Sequence, residues 1–111
     1  MRPRKTTLSR TEAIKTIRNA ADHTALINVS DHAKIKMVDR EITMPEMVKV
    51  LKNGAIIEGP SSNHIHPNWE CTLQGVVQTT GRRIRVIVAI EIGEDGILIV
   101  TIFDVKGTRL R

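Results

Sequence analysis

The stretch Ser30-Asp-His-Ala-Lys-Ile-Lys-Met-Val-Asp-Arg-Glu-Ile-Thr-Met-Pro-Glu-Met-Val-Lys-Val-Leu-Lys-Asn-Gly54 decides the fold. It reads as two short helices meeting at Thr43. Ser30 is placed to cap the first, with Asp31 favourable at the positive end of the helix dipole. Thr43 and Glu46 form a capping box for the second, Pro45 fits its first turn, and Gly54 is its stop. Ile35, Val38 and Ile42, joined by Ala33 and Met37, give the first helix an apolar stripe. Met44, Met47, Val48 and Leu51 keep helical spacing in the second.

Upstream, Ser9 and Glu12 make another capping box ahead of Ala13, Ile14, Ile17, Ala20 and Ala21, one apolar face of a further helix. Residues 1–8 lack periodicity and read as a loose basic arm; residues 9–111 read as one domain. Ala25–Val29 is short, apolar and partly β-branched, so it is either a strand or a buried linker.

Downstream the periodicity changes from helical to strand-like. Ala55–Glu58 is a strand ended by Gly59-Pro-Ser-Ser-Asn. Trp69, Cys71 and Leu73 alternate with polar residues, and Gly75 is read as a bulge. After a Thr80-Gly81 turn, Ile84, Val86, Val88, Ile90 and Ile92 line one strand face, opposite Arg83 and Arg85. Gly93–Gly96 is a hairpin loop, and Ile97–Phe103 is apolar enough for a central strand. The expected fold is α+β: N-terminal helices on one face of an antiparallel sheet of about four strands.

Composition narrows the function. The chain has 111 residues, one ordinary domain, and a net charge of +5. That charge is uneven. Residues 1–40 carry nine Lys/Arg against four Asp/Glu, residues 41–81 two against four, and residues 82–111 six against four. Basic ends around an acidic middle fit either a polyanion-binding face or ordinary solubility. Trp69 and Phe103 are the only aromatics, which argues against modules that stack bases on aromatic platforms. The single cysteine, with neither a signal peptide nor a membrane-length apolar run, suggests the cytoplasm and no membrane partner.

The pattern His32-Ala33-x-x-Lys36-Met37-x-x-Arg40-x-Ile42-Thr43, with Pro45–Val48 and Gly54-x-Ile-Ile57, resembles a family of small bacterial domains. That family is catalogued as a domain of unknown function and grouped with the RelE/ParE-like toxin fold. Gly81–Val86 is similar to its penultimate strand and Ile99–Phe103 to its last, so the resemblance spans about residues 25–104. It implies a RelE/ParE-like fold and a toxin–antitoxin relationship, with fold relatives that cleave RNA on or off the ribosome and others that poison gyrase. Lys36 stands where arginine is common in the pattern, which weakens two-pronged phosphate binding there.

Three groups of residues could carry chemistry. His32, Lys36 and Arg40, spaced i, i+4, i+8, share one polar helix stripe. Metal-independent RNA cleavage needs proton transfer, for which an imidazole is suited, and a cation for the phosphorane charge. The same stripe also reads as a solvated helix face. Arg82, Arg83 and Arg85 follow a hairpin turn and make either a phosphate clamp or edge-protecting charge. Thr101, polar in an apolar strand, is either a sheet hydroxyl or, as the resemblance implies, an accessory near the scissile phosphate.

Two further readings have less support. His64-x-His66 with Cys71 suggests a zinc site, but Cys71 has core parity. A DNA-reading helix-turn-helix would present mostly Met, Val and Leu. The expectation is a toxin-like RNA-binding protein acting as an endoribonuclease without a cofactor. His32, Arg40, Arg85 and Thr101 are the catalytic candidates, and Lys36, Arg82 and Arg83 bind nucleic acid. RNA or the ribosome is the expected partner, with an antitoxin-like protein as a further one. The alternative is a non-catalytic module of mobile-element origin that binds nucleic acid or protein.

Overall fold

Three helices and five strands follow one another in the computed structural model, which describes residues 7–62, 68–91 and 94–105. They are α1 (Arg10–Asp22), β1 (Ile27–Val29), α2 (Asp31–Arg40), α3 (Met44–Asn53), β2 (Ala55–Ser62), β3 (Trp69–Val77), β4 (Arg82–Ile90) and β5 (Ile97–Asp104).

The caps read from sequence form as expected. Ser9 and Thr43 each accept from the backbone three residues on, and Glu12 and Glu46 return the bond. The Ser30 hydroxyl accepts from the Ala33 amide. Gly54 ends α3; a side chain there would meet the Val50 carbonyl at 2.6 Å and the Gln74 carbonyl at 2.8 Å.

The fold is α+β, with a five-stranded mixed sheet in the order β1-β5-β4-β3-β2. The four C-terminal strands form the expected antiparallel meander. The extra strand comes from Ala25–Val29: its last three residues pair in parallel with β5, Ile27 against Ile97 and Val29 against Ile99.

Two further expectations are corrected. β2 does not end at Glu58 but continues through Gly59-Pro60 to Ser62, by means of two register shifts against β3. Gly75 is not a bulge: it pairs in register with Ile84. Its missing side chain instead lets β3 approach α3, where a Cβ would lie 3.4 Å from Val50 Cγ1 and 3.3 Å from Gly54 Cα. The bulge lies in β5. Ile87 pairs with Thr101 while Val88 pairs with Ile99, so Val100 is the extra residue.

The core lies between the sheet and α1 and α3, which contact each other. Ile17, Met47, Leu51, Leu73, Ile84, Val86 and Ile102 are among its fully buried side chains. Burial of Met47, Val50 and Leu51 makes the inner face of α3 scaffold. α1 is equally integral: Ala13, Ile17 and Ala20 are fully buried, and the Arg18 guanidinium donates to the Leu51 and Gly54 carbonyls at the end of α3.

α2 differs from the helix expected there. Ile35 and Val38 point outward, 62% and 77% exposed, while Ala33 is buried and Lys36, Met37 and Arg40 are half-buried. The inward face is thus Ala33, Met37 and Arg40, rotated away from the apolar stripe. Ala33 is small enough for close approach to the sheet, and Arg40 must reach an acidic partner on β5. Ile42 still enters the core because the chain reverses at Glu41, in the left-handed region at φ 54°. The Ile42 amide donates to the Met37 carbonyl across that reversal.

Candidate functional site

Ser30 ties α2 to β5. The Ser30 amide donates to the Ile99 carbonyl at 3.0 Å, and its hydroxyl donates to the Val100 carbonyl at 2.9 Å. β1 therefore stops pairing where α2 starts, and α2 continues beside the remainder of β5. Ten helical residues span ~15 Å, close to the length of the five strand residues from Val100 to Asp104. His32 thus starts α2 at the level of Val100 and Thr101, and Arg40 ends it at the level of Asp104. His32 is exposed and makes no hydrogen bond or ion pair among the described residues.

Strand parity then sorts the arginines. Arg82 shares a face with Ile84 and Val86, the helix-covered side. Arg83 and Arg85 lie on the opposite face. Arg82 donates to the Arg40 carbonyl at 2.6 Å and the Glu41 carbonyl at 2.7 Å. It also approaches Asp104 Oδ2 at 3.4 Å and Glu46 Oε1 at 3.7 Å. Arg40 bonds the other Asp104 oxygen at 3.1 Å. Asp104 is thus clamped between two arginines, and Arg82 also satisfies carbonyls orphaned at the end of α2. This network fastens helix to sheet. Sequence spacing could not reveal it, because it depends on contacts more than 20 residues apart.

The opposite face carries Thr72, Ile87 and Thr101 in one cross-strand row, and Gln74, Arg85 and Phe103 in the next. The β5 bulge brings Thr101 onto this face. Arg85 and Thr101 are diagonal neighbours, within reach of a long side chain. Arg85 Nε donates to Gln74 Oε1 at 2.7 Å, which orients the guanidinium; its Nη atoms carry no bond among the described residues. The Thr101 hydroxyl has no partner among the described residues, so it is not held within the sheet. Arg83 is exposed on the same face, and its carbonyl accepts from the Val105 amide.

The structure therefore makes Arg85 and Thr101 diagonal neighbours on the face opposite the helices, while Arg40 and Arg82 meet at Asp104 at the end of β5. His32 lies at the start of α2, next to the cap that bonds Val100. Lys36 lies half-buried between His32 and Arg40 on α2. Sequence reasoning passed over Gln74 and Asp104, whose partners are set by cross-strand register. It also passed over Ser30 as an anchor to β5.

Cys71 is buried, as its parity implied, and burial pushes its thiol up from 9.0 to about 11, against a smaller lowering by Arg10. It is an inert core thiol. His64 and His66 lie outside the described residues. Among those described, no group of three or more His, Cys, Asp or Glu could hold a metal ion. No helix among the described residues is long and apolar enough to cross a membrane.

An α+β domain with helices on one sheet face and Arg83 and Arg85 on the other is the class the structure defines. Residues 29–104 match the family described as a domain of unknown function, DUF4258, and the chain belongs to that family. α1 lies outside the matched region although it completes the core. No curated protein and no solved structure matches the chain.

Proposed function

We propose that the protein is a toxin-like RNA-binding domain that cleaves RNA without a metal, with a RelE-like relationship of fold and an RNA, free or on the ribosome, as its target. The observation that carries this reading is the Ser30–Val100 hydrogen bond. It anchors the start of α2, which carries the exposed His32, to β5, the strand that carries Thr101, and β4 beside it holds a guanidinium oriented by Gln74.

In this reading His32 takes the proton from an RNA 2′-hydroxyl as the 2′-oxygen attacks the adjacent phosphorus. The phosphorane charge is met by the Nη side of Arg85, and Thr101 donates to a non-bridging oxygen. The bond to the 5′-oxygen breaks, that oxygen leaves with a proton from His32 or water, and a 2′,3′-cyclic phosphate remains. Arg83 and Lys36 extend the cationic track for flanking phosphates. Arg40, assigned to the phosphate on sequence spacing, acts instead by holding α2 against β5.

The test is cleavage of free RNA and of RNA on translating ribosomes by wild type and His32→Ala. Wild-type cleavage with cyclic-phosphate ends, reduced at least ~100-fold in the variant, supports the reading. Background-level cleavage by both on both substrates sinks it.

A second reading is favoured by the commitment of Arg40 and Arg82 to Asp104. Those ion pairs leave a single imidazole that has no orienting partner among the described residues, so the protein would bind nucleic acid without cutting it. Binding would then weaken smoothly with salt and be unchanged in His32→Ala.

A further inference from the structure

The outward face of α2 is the largest departure from what a solvated helix needs. Ile35 and Val38 lie one turn apart with nothing among the described residues upon them, 62% and 77% exposed. Around them the charges are segregated along the axis. His32 and Lys34 precede the apolar pair, Asp39 and Glu41 follow it, and all four are exposed. Asp31 sits at the extreme start of the helix.

We infer that this face is a docking surface for a second copy of the chain, the two α2 helices packing antiparallel about a two-fold axis near residues 36 and 37. That inference does not rest on any RNA chemistry, although in the pair the proposed proton-transfer residue His32 would lie at the seam. Antiparallel pairing about that point puts Ile35 of each copy against Val38 of the other. On one flank Lys34 comes alongside Glu41 of the second copy, and on the other His32 comes alongside Asp39 of the second copy. Each contact occurs twice, as an isologous interface requires. The order cation, apolar pair, anion is self-complementary only in the antiparallel sense; parallel packing would set like charges together. Asp31 comes level with about residue 42 of the second copy, just past the end of that helix.

The side chains involved are separate from the fastening of α2 to its own sheet. That fastening uses Ala33, Arg40 and the Glu41 carbonyl, leaving the Glu41 carboxylate outside it. Two apolar side chains per copy form a small seam, so the association is weak, with a dissociation constant on the order of 100 µM.

Sedimentation equilibrium of the full chain across a concentration series tests this. Wild type is expected to move from the monomer mass towards twice that mass. Val38→Lys should remain monomeric with an unchanged melting temperature, since the side chain is exposed. Lys34→Glu alone and Glu41→Lys alone should each remain monomeric, because each homodimer then opposes like charges twice. An equimolar mixture of those two variants should associate again, because each then offers the charge the other needs. Wild type monomeric at every concentration, or a mixture no more associated than its components, overturns the inference.

Discussion

Arg82 and Arg85 are three residues apart on one strand and do different work. Arg82 points to the helices, reaches the α2 carbonyls and Asp104, and is spent on holding the fold together. Arg85 points to the other face, is oriented by Gln74, and keeps two nitrogens available. The same contrast divides α2, whose His32 is exposed and without a partner among the described residues while its Arg40 end is locked to Asp104. Charge alone therefore says little about role. The side of the sheet a guanidinium faces, and whether a carboxylate waits there, decides it.

The comparison breaks most sharply at Arg85. Arg85→Gln is expected to lower RNA cleavage at least ~100-fold, on the scale of losing one charge-stabilising donor, while leaving the melting temperature within a degree or two. Thr101→Val, nearly isosteric, should cost roughly 10-fold in cleavage rate, because a neutral donor contributes less than a charged one. A rate assay on a short RNA reads both.

On the structural side, Asp104→Ala leaves Arg40 and Arg82 facing each other without their shared carboxylate. Both arginines are partly exposed, so the loss is about 2 kcal/mol in urea unfolding rather than the full cost of a buried orphan charge. Cys71 adds a pH arm. Its thiol is neutral in the fold up to about 11 but ionises from 9.0 when unfolded, so its contribution is complete below pH 9 and is lost as pH rises through about 11. Wild type should therefore lose up to about 2 kcal/mol more than Cys71→Ala over that window. The smallest effect concerns the turn Arg82 supports. Glu41 holds a left-handed conformation, so Glu41→Gly should stabilise by about 0.5–1 kcal/mol in the same unfolding assay.

Much of this fold was legible in the sequence because its signals are local. Ser9, Ser30 and Thr43 announce three helix starts through bonds made three residues away, and alternation in residues 84–90 is local too. What escaped depends on tertiary partners. Ile27–Val29 is too short to declare itself a strand without β5 beside it. The α2 stripe misled because Ile35 and Val38 satisfy helical spacing, yet Ala33 and Arg40 have the fitting neighbours.

The site divides along the same line. His32, Arg85 and Thr101 could be named from residue type and resemblance. That Thr101 shares a face with Arg85 depends on the Val100 bulge, which no residue pattern in that strand marks. Arg40 and Arg82 looked equally suitable because Asp104, 64 and 22 residues distant, is invisible to spacing.

The most direct test measures Arg82→Gln and Arg85→Gln side by side, each for melting temperature and for cleavage of the same RNA under the same salt. Arg82→Gln should melt several degrees lower and, below its own transition, cleave within a few-fold of wild type. Arg85→Gln should melt with wild type and fail to cleave. The opposite assignment, with Arg85→Gln the unstable variant and Arg82→Gln the inactive one, would contradict the division of labour between the two faces.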